Sequence, residues 1–408
     1  MLAPILGTKL KANILHHDFN PCGGAERVSF ETMHAISEMG IDFDITTYAE
    51  PDLLRIVNAF GKDRSSIITR AKKLNVVTSF QNPCIKNKVG EEYDIYINTH
   101  PDLFPFYQDH FCKENTITYS HFPMARQFIE SKNVEYIGRD LRIRDHDYEN
   151  EPKNPDILSK GKSNIDRCFS TVHRCYEKLM ENSTIVTNSE FSRDSIFSIF
   201  NRRKNKIHII RPPVDVETFR NEVLLSTAFE RQDTTLVISR INKHKEVENA
   251  IKLAKILKKT NVGKRMRIVG SMHYTLDLDY YLFLYEMIRN LGLEDYVTIE
   301  TNISFNDLLS AMGKAKAYFH PMVGEHFGIA VVEAMAAGLV PIVPAVGGPA
   351  EFVPSNYQFD SLEEAAERVS SALQVENEER VRISTSVDRF SVTNYIDQFQ
   401  NVVCEMLY

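Results

Sequence analysis

Two glutamates eight residues apart, Glu325 and Glu333, bracket a glycine and the start of an apolar run in "HPMVGEHFGIAVVEAMAAGLVPIVPAVGGPAEFV", residues 320–353. The strand "AYFHP" and the helix "GIAVVEAMAAG" are expected on either side of Glu325. Phe327, Gly328 and Ile329 then fall where the first helical N–H groups have no intrahelical acceptor. Free amides and the helix dipole favour an anion or hydroxyl oxygens there, and a glycine lets the backbone approach a ligand closely. Glu333, one helical turn on, is placed to accept hydrogen bonds from a diol. One carboxylate and a row of amides thus suit a sugar, and the second carboxylate suits a ribose. The bland alternative is a carboxylate that satisfies the helix dipole, followed by an exposed helix glutamate. The stretch "AVGGPAEFV" directly after the next strand favours the binding reading.

Two cations follow the strand "TTLVI": Arg240 and Lys245 in "SRINKHK". A planar guanidinium and a point-charge ammonium at one strand end suit a polyanion such as a diphosphate. The alternative is a solvated basic turn. Among the histidines, His121 lies near the end of the strand candidate "TITYSHF", either facing a site or serving as a structural hydrogen-bonder. His16, His17, His100 and His320 also end strand candidates, and the same choice applies to them.

These residues need a scaffold that presents strand ends. Strand candidates occur at 11–17, 43–48, 93–99, 116–122, 184–189 and 206–213, with helical stretches between most of them. The first helix, 23–40, has Val28, Met33, Ile36 and Met39 near one side and Gly40 at its end. Strand and helix alternation predicts a parallel sheet covered on both faces. Two prolines in "RPPVDVETF" (211–219) break the rhythm and mark a linker. The pattern then restarts: strands at 234–241, 265–271, 296–301, 317–321 and 340–345, and helices at 247–260, 278–291, 304–315 and 329–338. The expectation is two doubly wound α/β domains, 1–212 and 213–390, facing a central cleft, with an amphipathic segment 391–408 packing back on the first. Ligands in such sheets bind beyond the carboxyl ends of strands, beside helix N-termini. The charged stretch between 125 and 165 reads either as a loop over a site or as a solvated insertion.

Composition agrees with a two-domain globular chain: 408 residues, 43% hydrophobic and 25% charged. The net charge of -7 gives no support to broad nucleic-acid binding. The six cysteines form no CxxC pair and no Cys/His spacing typical of a metal site, so reduced thiols in a cytoplasmic compartment are expected. A Cys168–Cys175 disulfide is the weaker alternative. No window approaches the ~18 apolar residues of a membrane span. Membrane contact is therefore expected to be peripheral, at the basic stretches 201–206 and 256–267, whose alternative reading is solvated loops and helix ends.

The motifs also carry a family resemblance. "EHFGIAVVE" resembles the Glu-x7-Glu signature of retaining glycosyltransferase family 4, which has the GT-B fold. "GGAERV" (23–28), "YSHFP" (119–123), "VTNSEFSRDSI" (186–196), "IIRPPVDVETF" (209–219) and "SR-x4-K" (239–245) are similar to further segments of that family, in the family's order. "PPVDVETF", "LGLEDYVTIETNISFNDL" and "EHFGIAVVEAMAAG" bring it nearest to dolichol-pathway α-1,2-mannosyltransferases that use GDP-mannose.

The resemblance implies roles. Arg240 and Lys245 grip the donor diphosphate. Glu325 and the amides from Phe327 to Ile329 position the donor hexose, and Glu333 holds the ribose hydroxyls. Gly23 and Gly24 bring their loop against the diphosphate or acceptor. His121 sits near the sugar, and "GGP" at 347–349 supports the donor side. It also implies retention of anomeric configuration. No DxD-like motif stands beside these residues, so no metal cofactor is expected. The expected partners are a nucleotide-sugar donor and a glycan or lipid-linked oligosaccharide acceptor, with no nucleic acid. Three alternatives stay open: a UDP-sugar-dependent transferase of the same fold, a nucleotide-sugar epimerase, and a catalytically silent partner subunit. The intact "EHFGIAVVE" and "SR-x4-K" favour a transferase, and the complete set of site residues argues against the silent subunit.

Overall fold

The computed structural model describes residues 9–76, 93–100, 115–123, 177–200, 207–273 and 275–407. The chain divides into two compact units, Met1–Arg211 with Tyr395–Tyr408, and Pro212–Asn394. The expected loop 125–165 and the Cys168–Cys175 pair lie outside the described residues; Cys22 and Cys404 are free thiols.

The first unit holds strands β1 Lys11–Leu15, β2 Asp42–Thr47, β3 Leu74–Val76, β4 Ile95–Asn98, β5 Thr116–Ser120, β6 Thr184–Thr187 and β7 Ile207–Ile209. They pair in parallel in the order β3-β2-β1-β4-β5-β6-β7. β4 and β5 are buried at every residue, the signature of a strand with both sheet faces covered. Helix Gly24–Glu38 covers one face with Val28, Met33 and Ile36, each fully buried. The final helix, Val392–Leu407, adds Tyr395, Phe399, Val402 and Val403 to the same apolar core. The Tyr395 hydroxyl is 2.7 Å from Thr32 Oγ1 on the first helix.

The second unit holds β8 Gln232–Ile238, β9 Arg265–Gly270, β10 Val297–Thr301, β11 Ala315–Phe319, β12 Val340–Pro344 and β13 Gln358–Phe359. All pairs are parallel, in the order β10-β9-β8-β11-β12-β13. Both sheets reverse their strand order in the interior, the first between β1 and β4, the second between β8 and β11. At such a switch point the flanking connections leave in opposite directions and open a crevice beyond the strand ends. The residues expected to do chemistry follow β1, β5, β8 and β11.

Two buried arginines tie the second unit together. Arg380 donates to the carbonyls of Lys316, Gly338 and Ala372 at 2.7, 3.0 and 3.3 Å. Arg231 donates to those of Met312, Ala315 and Ala337 at 3.3, 2.6 and 2.6 Å. Both serve carbonyls at or near helix and strand ends. Burial pushes each guanidinium down to about 10.

Three differences from the expected elements have local causes. The strand expected at 317–321 lies at Ala315–Phe319, because Pro321 has no N–H to continue the ladder. Strands β3 and β13 span only three and two residues, too short for a period to register. Helices Leu362–Ala372 and Asn377–Thr385 were not foreseen; the second is polar overall and buries Arg380, Ile383 and Ser384.

Candidate functional site

The second unit places its expected residues around β8 and β11. Arg240 follows β8, is exposed, and its guanidinium makes no hydrogen bond or ion pair among the described residues. Lys245 ends a short 3-10 turn, Lys243–Lys245, after which Glu246 adopts a left-handed φ of 50°. That turn is stitched to the loop after β11. The Glu246 carboxylate accepts from the Val323 N–H at 3.2 Å, and the Asn249 amide donates to the Pro321 carbonyl at 3.2 Å. The stitching brings Lys245 Nζ to 2.5 Å from Glu325 Oε2.

Glu325 is held on several sides. His320 Nε2 stands 3.5 Å from the same Oε2, and the His326 N–H donates to Oε1 at 3.1 Å. Its backbone bridges Gly347, and its carbonyl accepts from the Gly348 N–H at 2.7 Å. Burial alone would raise the Glu325 carboxyl. The Lys245 ammonium, then His320, outweigh burial and hold the carboxyl well below the usual range. The neighbouring His326 ring is pushed down to about 4 by burial.

Helix Ile329–Ala336 starts at Gly328, which takes a left-handed φ of 89°. A Cβ there would lie 2.9 Å from both Pro349 Cγ and Val331 Cγ2, so glycine is required on two counts. The N–H groups of Phe327, Gly328 and Ile329 have no acceptor among the described residues. Phe327 itself is buried against Phe352 and Phe390, with ring centroids 5.5 and 5.4 Å away, which anchors the loop below those amides. Glu333 is 8% exposed, so the alternative of an exposed helix glutamate is corrected: it is a buried carboxylate. The Tyr318 phenol is pushed far up by burial first, then by Glu325 and Glu333, so both carboxylates act on one buried hydroxyl.

The first unit assembles a second set. His16 directly follows β1 and is fully buried; its Nδ1 lies 2.9 Å from Thr99 Oγ1 and its Nε2 3.4 Å from Glu26 Oε1. The Gly23 N–H donates to the other oxygen of Glu26, the glutamate half of a capping box, which satisfies the N-cap amide of the first helix. That amide therefore serves the helix cap. His121 Nε2 donates to the Thr99 carbonyl at 3.0 Å, which fixes its tautomer. The His121 carbonyl accepts from Asn188 at 2.7 Å and Ser192 at 3.2 Å. Gly23 and His121 thus belong to one network through Glu26, His16 and Thr99, while Gly24 opens the first helix. Of the three linking residues, His16 was expected only as a strand-end histidine, and Glu26 appeared only within the "GGAERV" loop.

Potential metal-ligating atoms of His16, Glu26 and His100 lie within 4.8 Å of one another, a grouping that sequence spacing did not reveal because three chain segments build it. The His16 and His100 rings stack at 5.1 Å with planes 27° apart. Near-parallel rings aim their in-plane lone pairs past a common point, and Glu26 already serves Gly23 and His16, so hydrogen bonding accounts for the group. His320 and Tyr318 were underrated or missed in the second unit. His320 was foreseen only as a strand-end histidine, whereas it faces Glu325.

Two doubly wound units with these strand-end sites define the GT-B class of glycosyltransferase fold. Residues 225–389 match the family model described as glycosyl transferases group 1. Among curated proteins it is 28% identical over 232 residues to the GDP-Man:Man(3)GlcNAc(2)-PP-Dol alpha-1,2-mannosyltransferase of Dictyostelium discoideum, covering 53% of this chain and 46% of that protein. The mouse protein of the same name is 29% identical over 254 residues, covering 59% and 51%. The chain thus spans about half the length of these relatives. Among solved structures, Anabaena HepE in complex with UDP superposes with a TM-score of 0.70 at 15% identity, covering 97% of this chain and all of that one. A glycosyltransferase from Rickettsia africae gives 0.66 at 13% identity, covering 98% and 99%. No helix among the described residues is long and apolar enough to cross a membrane.

Proposed function

We propose that this chain is a hexosyltransferase that moves mannose from GDP-mannose onto a glycan or polyprenyl-linked acceptor, with retention and without a metal ion. The observation that carries the reading is the convergence at the β8/β11 switch point. There Lys245, Glu325, the unpaired amides of Phe327 to Ile329 and buried Glu333 gather on two adjacent connections. The choice of nucleotide and sugar is supported by the names of the relatives.

In the reaction the anomeric C–O bond to the diphosphate breaks and the acceptor oxygen takes its place. Negative charge grows on the departing diphosphate. Arg240, exposed and without a partner among the described residues, and Lys245 supply fixed positive charge to it, the largest contribution such a site can make. The acceptor proton passes to an oxygen of the leaving phosphate on the same face, so no separate base is required. Glu325 and the loop amides hold the hexose, and Glu333 takes the ribose diol. The lipid-linked acceptor implies work at a cytoplasmic membrane face through peripheral contact.

Calorimetric titration with GDP, UDP and ADP in EDTA, then with the matching sugar nucleotides, tests this. Metal-independent GDP binding that tightens with GDP-mannose is expected. UDP preference would leave the fold and site roles but replace the donor. Binding of none by folded protein would favour the silent-subunit reading.

A further inference from the structure

Glu325 has a partner that the donor reading takes away. Lys245 lies 2.5 Å from Glu325 Oε2 and is also the cation assigned to the diphosphate. An ammonium shared with two phosphates no longer neutralises one carboxylate fully. A mostly buried carboxylate left without its cation is costly, and its direction becomes loose. Another donor is required if Glu325 is to keep its aim at the hexose.

His320 is built for that task. It follows β11, is 4% exposed, and its backbone N–H donates to the Ile342 carbonyl at 2.9 Å. Its Nδ1 lies 3.2 Å from the Tyr318 hydroxyl, which itself lies 3.4 Å from the Ile238 carbonyl. The ring is therefore oriented from behind. Its Nε2 is buried, has no hydrogen-bond partner among the described residues, and stands 3.5 Å from Glu325 Oε2. That separation is at the outer limit of a hydrogen bond, and such contacts shorten when ligand binding completes a site. When the single Tyr318 proton goes to Nδ1 at 3.2 Å rather than to the Ile238 carbonyl at 3.4 Å, the Nε2–H points at the carboxylate and the imidazole needs no charge.

Resting on the donor assignment above, we propose that His320 is a positioning residue for Glu325. It takes over Oε2 when Lys245 turns to the diphosphate, and so sets how strongly the site reads the sugar beyond the nucleotide. Tyr318 holds the ring for this exchange, while the His326 N–H keeps Oε1 in place.

The test compares GDP with GDP-mannose by calorimetry on the full chain, for the wild type, His320→Leu and His320→Gln. Leucine fills the space without a donor, and glutamine returns an N–H near the position of Nε2. The expected result is that His320→Leu binds GDP within ~2-fold of wild type but loses ~10-fold in affinity for GDP-mannose, about 1.4 kcal/mol. His320→Gln recovers most of that loss. A merely structural histidine would move both ligands together and would not be rescued by glutamine; that pattern overturns the proposal. So does unchanged GDP-mannose affinity in His320→Leu. A wild-type protein that binds neither ligand overturns the donor reading itself, which separates that failure from a failure of His320 alone.

Discussion

Lys245 Nζ and Glu325 Oε2 are 2.5 Å apart, across 80 residues of sequence, so two expected donor residues neutralise each other directly. Arg240, from the same β8 connection, is exposed and has no partner among the described residues. Their substitutions should therefore separate function from stability. Arg240→Ala and Lys245→Ala should each lower turnover ~10²–10³-fold by removing charge from the leaving diphosphate. Arg240→Ala should leave the free energy of urea unfolding unchanged within about 0.5 kcal/mol. Lys245→Ala should cost about 2 kcal/mol because Glu325 loses its counter-charge, and Lys245→Ala/Glu325→Gln should regain much of it. Wild-type turnover in the Arg240→Ala/Lys245→Ala protein would sink the assigned roles.

The pH dependence of folding should show two windows. His326 is pushed down to about 4 by burial, so the unfolded chain takes up its proton first as pH falls below the ordinary 6.5. Stability should decline from pH 6.5 towards about 4, and His326→Gln should flatten that decline. Glu325 is held well below the usual carboxylate range, despite burial, by Lys245 and His320. Its contribution is present above the unfolded value of ~4.3 and is lost as pH falls below it. Glu325→Gln should flatten that lower window. Urea midpoints at half-unit pH steps check both, and parallel curves for wild type and variants would refute them.

Gly348→Ala probes the support of the loop assigned above to the donor. A Cβ at Gly348 would lie 2.1 Å from the His326 carbonyl oxygen and 2.8 Å from Phe327 Cα. Neither is the end of a flexible side chain, so the 325–328 backbone must shift. Donor affinity should fall at least ~10-fold, since a displaced amide loses its hydrogen-bond geometry. Titration with sugar nucleotide measures it; unchanged affinity would show that this loop does not touch donor.

Arg380→Met tests the scaffold apart from the site. Methionine fills the space of the side chain but leaves the Lys316, Gly338 and Ala372 carbonyls without this donor. A loss of about 3 kcal/mol is expected in the urea unfolding of the second unit. A loss below about 1 kcal/mol would mean that water replaces the guanidinium.

The Glu325 and Glu333 pair, the Arg240 and Lys245 pair and the alternating elements were legible because they are local. An eight-residue spacing, a strand end and a helix start can be read from adjacent residues. His320 facing Glu325 was not legible in that way, since it depends on how the loop folds back after Pro321. The Glu246 and Asn249 stitches that deliver Lys245 are likewise set by the sheet order, which places β8 beside β11 although 76 residues separate their ends and starts in the chain (Ile238 to Ala315 as numbered). The buried state of Glu333 was open too: an acidic residue in an apolar helix reads equally as a solvated side chain until its neighbours are placed. Short strands β3 and β13 exist because longer neighbours template them, which leaves little trace in their own residues.

The helix Val392–Leu407 carries a practical consequence for dissecting the molecule. Its Tyr395 and Phe399 fill the core of the first unit, and Gln400 donates to the Ala35 carbonyl at 3.2 Å. A gene fragment ending at residue 211 would encode the first sheet without one of its walls, exposing the apolar flank of helix Gly24–Glu38. Expression as two halves should thus yield an insoluble first half, whereas grafting residues 392–408 onto it through a flexible tether should restore solubility.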